Sequence, residues 1–136
     1  MLNHNGAIIL DIHKKNTNYS FLLGLLNSKL ISFWFKNKFV FEDKLFPYIR
    51  ISQLNQIPVK DINFQNKFQK NHHDKIVNLV EQMLEAKKQI QAAKTDRDKT
   101  YYERKCVSLD TTIDAEVYTL YDLTENEIKI VEGKNE

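Results

Sequence analysis

Apolar residues recur along the chain in two rhythms. The run Ala7-Ile8-Ile9-Leu10-Asp11-Ile12 is short and β-branched, and lies between Gly6 and the polar cluster at 14–18, which predicts a buried strand followed by a loop. From Tyr19 to about Lys38 the rhythm is helical: Phe21, Leu22, Leu25, Leu26, Leu30, Phe33 and Trp34 fall on one face, and Leu23, Ile31 and Phe35 widen it. Thr17 or Asn18 is placed to cap this helix. Its polar remainder is a narrow stripe, Ser20, Gly24, Ser28, Ser32 and Lys36. A helix apolar on nearly every side requires cover, and small residues at Gly24 and Ser28 let another backbone come close. The first half is therefore expected to be one edge of a larger domain.

Residues 39–60 mix aromatics with charges, and Ile49-Arg50-Ile51 alternates as a strand does. Residues 61–73 are polar and predict a connector. Beyond them Ile76, Val80, Met83, Lys87 and Ile90 follow a 4-3-4-3 spacing, and Tyr102, Cys106, Leu109, Ile113, Val117 and Leu120 form a second seam. The short polar link Ala93 to Lys99 between the seams predicts an antiparallel helical hairpin, with arms of roughly 33 Å at 1.5 Å per residue. Thr124-Glu125-Asn126-Glu127 reads as a capping box opening a last helix that stops at Gly133. The expected fold is thus α+β and mostly helical, divided as 1–70, a hairpin over 71–123, and a C-terminal helix and tail over 124–136.

With three glycines and two prolines in 136 residues, collagen, low-complexity and loop-rich sandwich classes are excluded. The single Cys106 permits no internal disulfide and no zinc set, which suits a reducing compartment. The N-terminus lacks a signal-peptide plan, and the most apolar run, Phe21 to Phe35, is broken by Asn27, Ser28 and Lys29 and falls short of the roughly 20 residues that span a bilayer. No membrane partner and a cytoplasmic location are expected. The net charge of +2 conceals an asymmetry: residues 1–70 hold ten Lys and Arg against four Asp and Glu, or +6, and residues 71–136 hold ten against fourteen, or −4. Such polarity suggests a first half facing a polyanion and a second that is solvated or faces a protein, the bland alternative being a lysine-rich composition spread over a solvated face.

Certain residues of the first half also carry a resemblance. The order Leu22-Leu23-Gly24-Leu25-Leu26-Asn27-Ser28-Lys29-Leu30, then Phe33 and Phe35, then Phe46-Pro47 and Ile51, then Leu54-Asn55-Gln56-Ile57-Pro58-Val59, resembles the TaqI-like C-terminal specificity domain of restriction-modification DNA methyltransferases. The run Ile113-Asp114-Ala115-Glu116-Val117-Tyr118-Thr119-Leu120-Tyr121 onward is similar to the closing helices of that family. Specificity subunits of type I restriction systems share the Leu-Leu-Asn-Ser and Ile-Pro layout with a helical spacer, and are the alternative resemblance.

The resemblance implies a target-recognition module that holds duplex DNA for a catalytic domain methylating adenine, in the same or a partner chain. Arg50 is the candidate for a bidentate contact with guanine, Lys36, Lys38 and Lys44 for phosphates, and Asn37 and Gln53 for adenine, with Tyr48 beside them. The bland alternative makes the aromatics core and the lysines solvated surface. Catalytic motifs are absent from the sequence: it has no Pro-Pro for a (D/N)-P-P-(Y/F) motif and no Gly-x-Gly loop. No cofactor is expected in this chain; S-adenosylmethionine belongs to the parent methyltransferase, and Mg²⁺ enters only with a nuclease domain. A nuclease set of Asp11, Glu42 and Lys44 can be drawn, but Glu-x-Lys recurs at Glu85-Ala86-Lys87 and Glu127-Ile128-Lys129, so the triplet is cheap here. His72-His73 lacks an i+4 partner for a metal and is expected at the solvated start of the hairpin, and Cys106 as a small core residue. The rival reading is a helical-hairpin protein-interaction module without DNA binding. Self-association through the apolar helix face is expected under either.

Overall fold

The computed structural model describes residues 18–39 and 51–134. Among these residues six helices follow one another: α1 (Tyr19–Leu26), α2 (Lys29–Phe39), α3 (Ile51–Leu54), α4 (Lys67–Ala92), α5 (Asp96–Leu120) and α6 (Glu125–Val131). Among the described residues there is no strand, which corrects the α+β expectation. The strand expected at 7–12 lies outside the described residues. At the second expected strand, Ile51 opens α3 instead. Three alternating residues are too few to separate a strand from a helical turn, and here the backbone bonds are local: the Gln56 amide donates to the Gln53 carbonyl at 3.1 Å and the Ile57 amide to Leu54 at 3.2 Å.

The helix expected over 19–38 is two helices broken at Asn27 and Ser28. Asn18 caps the first, accepting from the Phe21 amide at 3.1 Å. At the break, the Ser28 hydroxyl donates to the Leu25 carbonyl at 2.6 Å and accepts from the Ile31 amide at 3.3 Å, so one side chain closes α1 and opens α2. The bend gives the apolar surface two directions. Phe21 and Leu25 join Ile76, Val80, Ile113, Val117 and Leu120 in one core. Leu26, Ile31, Phe35 and Phe39 join Ile57 in a second, flanked by Leu22, Trp34 and Leu54. Much of the cover demanded by this apolar stretch therefore comes from within the chain. Gly24 is buried where a Cβ would stand 2.9 Å from Cγ2 of both Ile76 and Val80, so its small size sets how closely α1 lies on α4.

α4 and α5 form the long hairpin, and α4 begins earlier than expected because Asn66 caps it, accepting from the Gln69 amide at 3.2 Å. His72 and His73 are therefore inside the helix rather than at its solvated start, and His73 is buried between the rings of Phe21 and Phe64, at centroid distances of 4.5 and 5.0 Å. Ile76, Val80 and Met83 are buried as the spacing predicts, but Ala86 takes the next inward position and Lys87 is exposed. On α5 the inward residues are Leu109, Ile113, Val117 and Leu120, with Cys106 partly buried and free. Thr95 caps α5 through the Asp98 amide at 3.1 Å, and Asp96 and Asp98 in the first turn suit the helix dipole. Thr124 and Glu127 form the capping box of α6, and the chain leaves that helix through Gly133 at φ +74°. No described helix is long and apolar enough to cross a membrane.

Candidate functional site

The basic candidates on described residues gather at the C-terminal end of α2. Phe35 and Phe39 turn into the second core, and at about 100° per residue Lys36, Asn37 and Lys38 fan around the opposite, exposed side. Lys36 and Lys38 also face the negative end of the helix dipole, which favours cations there whether or not a partner is bound. The Asn37 amide donates to the Phe33 carbonyl at 2.8 Å, leaving its oxygen outward-facing capacity. Gln53 is placed differently: it is only 1% exposed, so its amide lies inside this arrangement rather than on the surface beside the lysines. Lys44, Tyr48 and Arg50 lie outside the described residues, as do Asp11 and Glu42.

Beside the basic end runs an open groove of about 510 Å³, walled by Leu30, Phe33 and Trp34 of α2 and by Ile130 and Val131 of α6, with Lys38 at its edge. Polar contacts fix α2 and the segment after it against α5 and the end of α6. The Lys29 amide, at the first position of α2, donates to the Asp114 carboxylate of α5 at 3.0 Å. Lys29 also reaches Glu132 at 4.0 Å, and the Tyr118 hydroxyl donates to Glu132 at 3.4 Å. The Tyr121 hydroxyl donates to the Pro58 carbonyl at 2.8 Å and accepts from the Lys60 amide at 2.9 Å, clasping the Ile57-Pro58-Val59 turn to the end of α5.

Burial pushes the Asp114 carboxyl above the usual carboxylate range, opposed by the bond from the Lys29 amide. Burial likewise raises the Tyr121 phenol, and it raises Tyr118 with help from the nearby charges of Asp114 and Glu132. Sequence reasoning missed Asp114 and Tyr121 as anchors. The available signal was slight: an acid next to the seam residue Ile113, and a tyrosine just past the seam residue Leu120.

On the far side of the hairpin, His72 Nδ1 pairs with Glu116, whose other oxygen lies 3.9 Å from Lys75, and the His72 ring meets Phe68 at 4.5 Å. His73 pairs with Asp74 at 3.0 Å, and bonds from Lys70 and then His73 hold the Asp74 carboxyl below its usual range. The contacts to Glu116 tie α4 to α5, whereas those to Asp74 stay within α4. Among the described residues, no group of three His, Cys, Asp or Glu is arranged to hold a metal ion.

Residues 1–59 match the family model described as the TaqI-like C-terminal specificity domain. No curated protein and no solved structure matches the chain.

Proposed function

We propose that residues 1–59, a TaqI-like C-terminal specificity domain of the kind found in restriction-modification enzymes, read duplex DNA for an adenine methyltransferase domain carried outside residues 1–136. The single observation behind this reading is the family match over 1–59. The excess of +6 charges over residues 1–70 and the exposure of Lys36, Asn37 and Lys38 around one end of α2 agree with it. In this reading the lysines meet phosphates and set the register, while Arg50, Asn37 and Tyr48 approach base edges. The hairpin acts as the spacer that docks on the catalytic domain. S-adenosylmethionine is held by that domain, Mg²⁺ is needed only beside a nuclease domain, and the assembly works in the cytoplasm.

The test is an anisotropy titration of a labelled random-sequence duplex at about 50 and 200 mM salt. Micromolar affinity that falls at least tenfold between the two salts, and is lost when Lys36, Lys38, Lys44 and Arg50 are all changed to Ala, is the expected outcome. Undiminished binding by the quadruple variant would remove these residues from the interface. No binding at the lower salt would favour the hairpin as a protein-docking module.

A further inference from the structure

We infer that Asp114 is the positioning residue that holds the basic end of α2 in register for DNA, an inference that rests on the function proposed above. The anomaly is a carboxylate 8% exposed on a helix whose inward neighbours, Ile113 and Val117, are apolar. Among the described residues no ion pair reaches it, and the Lys29 ammonium lies 4.0 Å from Glu132. A buried acid of this kind is costly unless its oxygens are used. One oxygen takes the Lys29 amide at 3.0 Å, across 85 positions of sequence.

That bond acts at a place where small errors are amplified. α2 has 11 residues, about 16 Å of helix, with Asp114 at its first turn and Lys36 and Lys38 in its last. Ser28 supplies a cap from within the chain, satisfying the Ile31 amide. Through its bond to the Leu25 carbonyl it ties α2 to α1, but not to α5. Asp114 belongs to α5, so its bond ties the first amide of α2 to the hairpin, and the Lys29–Glu132 contact at 4.0 Å adds a weaker tie from the end of α6. Losing the tie frees α2 to shift about its contacts at Phe35 and Phe39, which displaces both lysines relative to the rest of the interface.

The experiment compares the whole chain with Asp114→Ala, Asp114→Ser and Asp114→Asn, and with Leu109→Ala as a control that lowers stability without touching the tie. Asn keeps an oxygen at the same reach, whereas the Ser hydroxyl stops short of the Lys29 amide. All three changes at 114 remove one negative charge, so any general gain in attraction to DNA is shared. Two readouts are taken at a temperature where each variant is folded: hydrogen exchange at the Lys29 amide, and the slope of log affinity against log salt for a random duplex.

Exchange at Lys29 is expected to quicken at least tenfold in the Ala and Ser variants, with the slope shallower by about one phosphate contact. Asn is expected to restore both, and Leu109→Ala to leave the slope unchanged. Wild-type exchange and slope in the Ala and Ser variants overturn the inference, as does failure of Asn to restore them. A wild-type chain that binds no DNA overturns the proposed function and, with it, this role of Asp114; the exchange data then report only a structural cap.

Discussion

Gly24 and Tyr121 show how single positions set the packing of α1 and of the segment after α3 against the hairpin. Gly24→Ala gains helix propensity worth about 0.5–1 kcal/mol, but its methyl would stand 2.9 Å from branched methyls of Ile76 and Val80. Overpacking of that kind costs about 1–3 kcal/mol, so the repulsion wins and a net loss of about 1 kcal/mol is expected in urea unfolding. Gly24→Leu should lose more and separate α1 from α4, read as loss of the Phe21–His73 ring contact by NMR. Tyr121→Phe keeps the ring but leaves the Lys60 amide and the Pro58 carbonyl without their partner, for an expected loss of about 1–3 kcal/mol. A melting curve unchanged by Tyr121→Phe would show that water replaces the clasp. Glycine's small size could be read in the sequence as permission for close approach. The phenol's role could not, because its partners lie more than 60 residues away.

Among the elements, the break at Asn27 and Ser28 matters most. Hydrophobic periodicity runs through it without a gap, so one continuous helix was the natural expectation over 19–38. What stops the helix is local side-chain chemistry, the Ser28 hydroxyl bonding back to Leu25 and forward to Ile31. Ser28→Ala is expected to cost about 1 kcal/mol through the lost cap, measured by thermal unfolding. If the variant were instead more stable, the break would be imposed by packing alone. The hairpin was more legible, since two spaced seams and a short polar link specify an antiparallel pair with little ambiguity. Its register was less so: Ala86 rather than Lys87 turns inward, because a 3.6-residue helix drifts against a strict seven-residue pattern and the lysine keeps its ammonium in water.

For the molecule as a whole, the pH dependence of stability has opposing contributions, and that of the buried Asp114 of α5 runs in the less usual direction. Asp114 has a folded pKa raised above its ordinary value, so the folded state holds this proton more tightly than the unfolded state. Its contribution to stability is therefore greatest at pH below the ordinary carboxylate range, and declines as pH rises through the raised folded value. Asp74 and Glu127 work oppositely, since their lowered values add stability above the ordinary carboxylate range that is lost as pH falls through the folded values. Asp114→Asn isolates the first effect. The stability of the Asn variant relative to wild type should increase as pH rises from below the ordinary carboxylate range through the raised folded value of Asp114 and then level off, followed by urea unfolding across pH. A difference independent of pH would mean that Asp114 keeps an ordinary pKa in the folded chain.

The sequence by itself determined the helical hairpin, the capped terminal helix, the charge asymmetry and the family to which residues 1–59 are matched. Each depends on residues close in sequence or on a total, and such signals survive without coordinates. Only the tertiary structure decided that Ile51 opens a helix, that Gln53 is buried, and that Asp114 and Tyr121 tie α2 and the segment around Pro58 to α5. Strand or helix at a three-residue alternation depends on whether a pairing partner exists, and the cost of burying a polar side chain depends on which distant backbone groups meet it. Both are facts about neighbours in space, which spacing along the chain does not contain.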